Sequence, residues 1–363
     1  MRQAAAVLGL AMLAGCTLTV TGPPPLPTTS TRTAADPAAA PPLLPGRRTA
    51  PAEIRLAKLG SGPIAAAHTV IVAQQVPEPG SEPQPVVIGL GAGTSTPVRL
   101  PAVERLLRTG DGVALSPDGR QAALVHLERQ AMRGLEAHVV TLATGEDRRL
   151  DQPSDPQCPP VTVDWGPVER LVAVQDACGG LHLASPDTGR ISRLWSPAPG
   201  SGTAAESRVF WSPDGQRLAS TLTRPDAATE EEYVTVVVGR DGKAQRTLDL
   251  LALSQAAWGR DGRALRGRLP QSGTEYVQVD PATGASSAVG EAGQVLDQLT
   301  VVGTNGAHVL GVARGTDPQR EGGVDVWTAN GSLLPDQRWT RVVGATAVTS
   351  VETAGSPAVD PGD

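Results

Sequence analysis

Trp211-Ser212-Pro213-Asp214-Gly215-Gln216-Arg217-Leu218-Ala219 is the stretch that decides the fold. An apolar run, Val209-Phe210-Trp211, enters it, and a second run, Arg217 to Leu222, leaves it. Between them the four residues Ser-Pro-Asp-Gly make a tight turn. Proline presets φ at the second turn position, aspartate is tolerated at the third, and glycine takes positive φ at the exit. Two short apolar strands joined in this way form a β-hairpin.

Working outward, the pattern recurs. Val113-Ala114-Leu115-Ser116-Pro117-Asp118-Gly119, Val163-Asp164-Trp165-Gly166-Pro167 and Ala256-Ala257-Trp258-Gly259-Arg260-Asp261-Gly262 are further copies, and Thr300-Val301-Val302-Gly303-Thr304-Asn305-Gly306 is an eroded fifth. The aligned positions Leu115, Trp165, Trp211, Trp258 and Val302 are separated by 50, 46, 47 and 44 residues. That is the length of a four-stranded propeller blade. Each unit continues with a third strand and a glycine turn, such as Ala143-Thr144-Gly145 or Asp280-Pro281-Ala282-Thr283-Gly284, and then a shorter, more polar fourth segment. A polar outermost strand suits an edge that faces water.

Upstream, Thr69 to Ala73, Pro85 to Leu90 and Thr96 to Leu100 read as three strands of a unit lacking its first. Downstream, Ala345 to Val351 is an orphan apolar strand. Joining the two completes a sixth unit. The fold class expected is therefore all-β: a β-propeller of six four-stranded blades, closed by pairing of the N- and C-terminal strands. Seven blades stay open if residues 54 to 67 hold further strands. A tandem β-sandwich would use similar hairpins but would make the period accidental.

The string Trp211 to Ala219 resembles the repeat of TolB-like, WD-repeat-like propellers. The resemblance covers residues 105 to 315 in five copies and departs from the pattern at Pro167 to Arg170 and at Gly259-Arg260. It implies a propeller fold and leaves function open. Relatives include periplasmic components of envelope complexes, the propeller domain of actinobacterial LpqB-type lipoproteins, and the propeller halves of prolyl-oligopeptidase-like enzymes.

The N-terminus carries a second signal. Met1-Arg2 is a short basic region, and Ala4 to Leu13 is an apolar stretch of signal-peptide length, shorter than the roughly 20 residues a spanning helix needs. It ends in Leu13-Ala14-Gly15-Cys16, which resembles the bacterial lipobox. The resemblance implies cleavage before Cys16 and lipidation of its thiol. Residues 16 to 53 are rich in Pro, Thr and Ala without helical or strand period, and read as an extended spacer. The organisation expected is a signal peptide over 1–15, a linker over 16–53 after lipidated Cys16, a propeller over 54–352 and a flexible tail over 353–363. The protein is expected to be exported and lipid-anchored at the cell membrane or outer membrane, its propeller in the periplasm or outside the cell.

Composition narrows the function classes. Net charge is −6, with Lys+Arg 31 against Asp+Glu 37. No basic block or basic-aromatic patch appears, so nucleic acid is not an expected partner. Aromatics are 2% of the chain, which argues against a base- or sugar-stacking platform. With Cys16 assigned to lipid, Cys158 and Cys178 remain. They are symmetric about position 168, in the turn between two paired strands, and are expected to form a disulfide. A redox or metal dithiol is the alternative. No His/Cys spacing supports it, His182 being the only histidine nearby in sequence.

No Gly-x-Ser-x-Gly elbow, phosphate loop or metal-ligand spacing is found, and His68, His126, His138, His182 and His308 are scattered singly. No cofactor and no metal are therefore expected. Pro117, Asp118, Gly119, Pro213, Asp214, Gly215, Asp261 and Gly262 are read as turn residues, the aspartates capping backbone amides rather than forming a cation-binding ring. Glu230-Glu231-Glu232 is an acidic patch. Trp327 sits on an apolar strand and is expected between blades; Trp195 and Trp339 follow polar outer strands and are candidate interface anchors. The function expected is a membrane-tethered, non-enzymatic binding scaffold of the cell envelope with an unidentified envelope protein as partner. A channel-site hydrolase or lyase and an extracytoplasmic sensor module are the alternatives.

Overall fold

A computed structural model describes residues 52–354 except 92–95, 108–112, 128–134, 153–156, 199–202, 205–208, 225–231, 253–257, 259–261, 270–275, 289–299, 305–307, 315–322 and 331–337. Over 300–339 the backbone alone is described. The Cys16 lipobox, Asp261, and Glu230-Glu231 lie outside the described residues, as do the side chains of Trp327 and Trp339.

Among the described residues the strands form six sheets that follow one another along the chain, antiparallel but for one parallel strand at the edge of the first and of the last. Sheet 2 is Val113–Leu115, Gln121–Leu127, Leu135–Thr141 and Asp147–Arg149. Sheet 3 is Pro160–Trp165, Val172–Asp176, Leu181–Ala184 and Ile191–Trp195. Sheet 4 is Phe210–Trp211, Arg217–Arg224, Glu232–Gly239 and Ala244–Leu248, with Thr203–Ala204 added. Sheet 5 is Leu265–Arg268, Tyr276–Val279 and Ser286–Ala288, with Trp258 bridging to Leu265. Sheet 6 is Thr300–Thr304, His308–Arg314, Gly323–Asn330 and Arg338–Val343.

Sheet 1 draws on both ends of the described chain. Ala67–Gln75, Gln84–Gly91 and Pro97–Arg99 supply three strands, and Ala347–Thr353 pairs antiparallel with the first of them, Val351 opposite Ile71. The orphan strand at the C-terminus thus finds its partner there. Ser350 Oγ also exchanges long hydrogen bonds with the backbone of Val113 in sheet 2, 3.5 Å from the amide and 3.4 Å to the carbonyl.

The chain before Ala67 holds two strands that the sequence reading leaves as linker or unassigned. Ala52–Arg55 pairs in parallel with Arg338–Val343 on sheet 6, and Gly60–Ser61 pairs in parallel with Pro97–Arg99 on sheet 1. This short strap covers the outer edges of the first and last sheets, where unpaired amides and carbonyls would otherwise face solvent.

The cores lie between successive sheets. Ile54 and Val342 pack with Ile71, Ile88, Val348 and Val351 between sheets 6 and 1. Leu115 sits in the cluster between sheets 1 and 2, Trp165 between 2 and 3, Trp211 between 3 and 4, and Trp258 between 4 and 5. At these four positions the bulky residue packs back against the preceding sheet, which is why a large apolar residue returns there at each period. Stacking on both faces also explains the strand patterns. Ala67–Gln75, Leu135–Thr141 and Val172–Asp176 are almost continuously buried instead of alternating, whereas Ser286–Ala288 at an outer edge is fully exposed. Among the described residues no helix is long and apolar enough to cross a membrane.

Candidate functional site

The inner turns gather on one end of the stack, each against its predecessor. The Ala67 amide donates to Gly119 O at 2.7 Å, Arg170 donates to Gln121 Oε1 at 2.7 Å, Gly215 abuts Pro167 and Val168, and Gly262 abuts Asp214. Within a turn the aspartate does local work. Asp118 Oδ1 accepts from Ser116 Oγ at 2.7 Å and the Arg120 amide at 3.1 Å; Asp214 accepts from Ser212 Oγ and the Gln216 amide. These carboxylates close turns. Partial burial alone would raise the Asp118 carboxyl. The Ser116 hydroxyl, the Arg120 amide and the charges of Arg170 and Arg120 outweigh it and hold it below its ordinary value. A depressed carboxylate contributes stability above its unfolded pKa of about 4 and loses it as pH falls through the folded value. Asp118→Asn is therefore expected to flatten the fall of the thermal midpoint between neutral pH and about pH 3, read by calorimetry.

Sheet 3 departs from this chemistry, and its turn becomes the most distinctive point of this end. Pro167-Val168-Glu169 stands where sheets 2 and 4 have Pro-Asp-Gly. Val168 is 66% exposed, the only exposed large hydrophobic among the described residues. Beside it Gly166, Leu171, Trp211, Gly215 and Arg240 line a shallow depression of about 10 Å³, room for roughly one water. Glu169 and Arg240 form an ion pair at its rim, and that hydrogen bond lowers the Glu169 carboxyl. What this turn offers a partner is the exposed Val168 side chain and the ion pair beside it rather than a cavity.

At the other end of sheet 3, a disulfide joins Cys158 and Cys178, with their Cα atoms 5.3 Å apart. Pro160 pairs with Asp176, so the cysteines lie two residues beyond the last ladder pair, one on each side. The turn that carries Cys178 holds a buried Asp176. Its Oδ1 accepts from the Gly180 amide at 2.7 Å and the Cys178 amide at 3.0 Å, and its Oδ2 bonds His182 Nε2 at 2.7 Å. Burial alone would raise this carboxyl; His182 and the two amides outweigh it and lower it. Replacing both cysteines by alanine reopens a loop with a sequence separation of 20. A loss of about 3 kcal/mol in denaturant unfolding is expected.

The protein's solved-structure neighbours are β-propellers. They include the β-propeller domain of the trilobed protease from Pyrococcus furiosus (TM-score 0.44, 11% identity, 76% of this chain and 84% of that one). An oligogalacturonate lyase from Vibrio parahaemolyticus has TM-score 0.42 and 9% identity, over 75% and 73%. A chain of the mitotic checkpoint complex has TM-score 0.42 and 13% identity, over 82% and 83%. They assign this chain no activity. No protein-family model matches the chain. No curated protein matches it either.

The structure brings together two histidines that the sequence leaves apart. His126 and His138 meet edge to face on sheet 2, ring centroids 5.6 Å apart. His126 Nδ1 bonds Leu106 O at 2.7 Å, and His138 Nδ1 bonds Asp147 Oδ1 at 2.8 Å. Glu136, which pairs with Arg149, lies 3.5 Å from His138 Nε2. Trp195, a candidate anchor, is half-buried and packs against the core between sheets 3 and 4, which limits what it offers a partner. Trp339 is placed opposite Trp327 in sheet 6 by backbone register.

Proposed function

We propose that the six sheets are the blades of a propeller closed by Ala347–Thr353, and that this ring is a non-enzymatic binding scaffold tethered to the cell envelope through lipidated Cys16. The observation that carries the binding role is Val168. It stands at the one described inner turn without the capping aspartate, is the one exposed large apolar side chain among the described residues, and lies beside the Glu169–Arg240 ion pair. Val168 carries the reading by combining exposure with a break in the repeat's turn chemistry, since a single exposed apolar residue is ordinary by itself. The tether rests on Leu13-Ala14-Gly15-Cys16 and the proline-rich spacer that follows. Two or three acyl chains at about 0.8 kcal/mol per buried CH₂ hold a protein at a bilayer firmly.

The test compares wild type, Cys16→Ala and Val168→Asp in crosslinked native envelopes. Cys16→Ala is expected to abolish incorporation of labelled palmitate and release the protein into the soluble fraction. Val168→Asp restores the residue the neighbouring turns use, so the thermal midpoint should hold while the crosslinked partner is lost. Unchanged crosslinking by Val168→Asp would place the docking surface elsewhere. Turnover abolished by a single polar substitution would replace the scaffold reading with an enzymatic one.

A further inference from the structure

The end of sheet 3 opposite Val168 carries a cluster that a structural disulfide alone does not require. Asp176, 3% exposed, places a carboxylate oxygen within 4.8 Å of both Cys158 Sγ and Cys178 Sγ. The turn is shaped around that carboxylate. A Cβ on Gly180 would lie 2.4 Å from Asp176 Oδ2, so only glycine at 180 leaves it room. His182, 2% exposed, holds the same oxygen from the third strand. Two sulfurs, an adjacent carboxylate and an imidazole that orients the carboxylate form the donor set of a tetrahedral thiolate–carboxylate metal site with its outer support.

We propose that Cys158, Cys178 and Asp176 form a redox-gated site for a thiophilic divalent cation of the zinc type, closed while the disulfide stands and opened when it is reduced. Cys178 is the more exposed residue of the pair, and Cys158 is buried. A thiolate of a dithiol reductant attacks Cys178 Sγ, and the S–S electron pair leaves with Cys158 as thiolate. The reductant's second thiol then resolves the mixed disulfide. The reductant ends as a disulfide and the protein as two thiols. The cation displaces two protons and takes both thiolates and an Asp176 oxygen, with the fourth position left to water. Thiolates bound to one zinc stand about 3.8 Å apart, so the sulfurs need only separate within the space the cluster already spans. His182 keeps Asp176 oriented throughout. In the sequence Asp176 is hidden as a partner, because it takes the turn over 177–180 to bring its carboxylate beside both sulfurs.

The test uses the full chain carrying Cys16→Ala, which leaves two thiols. The protein is reduced with a phosphine, desalted without oxygen and titrated with Co²⁺, then Zn²⁺. The expected result is one Co²⁺ per chain with a thiolate-to-cobalt charge-transfer band, displaced by Zn²⁺ and absent from the oxidised protein. Cys158→Ser should remove the band, and Asp176→Asn should weaken binding at least about tenfold. If reduction unfolds the chain, Co²⁺ or Zn²⁺ should restore the native tryptophan fluorescence. Neither a band nor recovery of the fold on adding excess metal overturns the proposal. Equal affinity in Asp176→Asn overturns the assignment of the third ligand.

Discussion

Gly119→Ala is expected to cost about 4 kcal/mol, a large part of a typical domain's stability. Two causes add. Gly119 has φ +69°, where an L-residue pays about 1–2 kcal/mol. A Cβ there would also stand 1.9 Å from the Ala67 carbonyl oxygen, which is backbone and cannot swing aside. Relieving the overlap pushes sheet 2 from sheet 1 and breaks the 2.7 Å bond from the Ala67 amide to Gly119 O. Gly80→Ala is the control. It has φ +87° with open space around it, so the conformational cost of about 1–2 kcal/mol should appear alone. Denaturant unfolding of both variants reads the difference. Equal losses would mean that the turn of sheet 2 does not press on sheet 1 in solution.

Truncation after Thr346 should have a still larger effect. It removes Val351 and Ser350, both fully buried, and Val348, which is 7% exposed. Each buried valine contributes about 1.5–3 kcal/mol. The loss also strips the partner from Ala67–Gln75, leaving a long, apolar, unpaired edge. Such an edge templates association. The truncated chain is expected to lose its cooperative thermal transition and to elute as aggregates in size-exclusion chromatography. A monomer with an unchanged midpoint would show that the C-terminal strand is dispensable.

Those two predictions differ in how far the sequence announces them. The turn containing Gly119 is legible because the chemistry of Ser-Pro-Asp-Gly is local, and the full string recurs at Ser212 to Gly215 with partial copies at the same period. Leu115, Trp165, Trp211 and Trp258 are legible for the same reason: stacked sheets ask for the same bulky residue at the same place. The exposed Val168 is visible as a departure from the repeat, although its exposure is not. The strap Ala52–Arg55 and Gly60–Ser61 is not legible. Parallel pairing of four and two residues has no period to read and depends on sheets supplied by distant sequence. The meeting of His126 and His138 is hidden as well. It follows from register, since His126 pairs with Glu136 and His138 lies two residues further on that strand, a diagonal neighbour on one face.

Hydrogen exchange of the backbone amides in Ala347–Thr353 and Ala67–Gln75 of the intact chain reads directly whether these strands close a ring. A ring closed by these strands predicts strong protection in both segments, lost together when destabilisation opens the seam between them. Rapid, unprotected exchange over 347–353 while 67–75 stays protected would contradict it, and would leave an open stack of sheets in place of the ring.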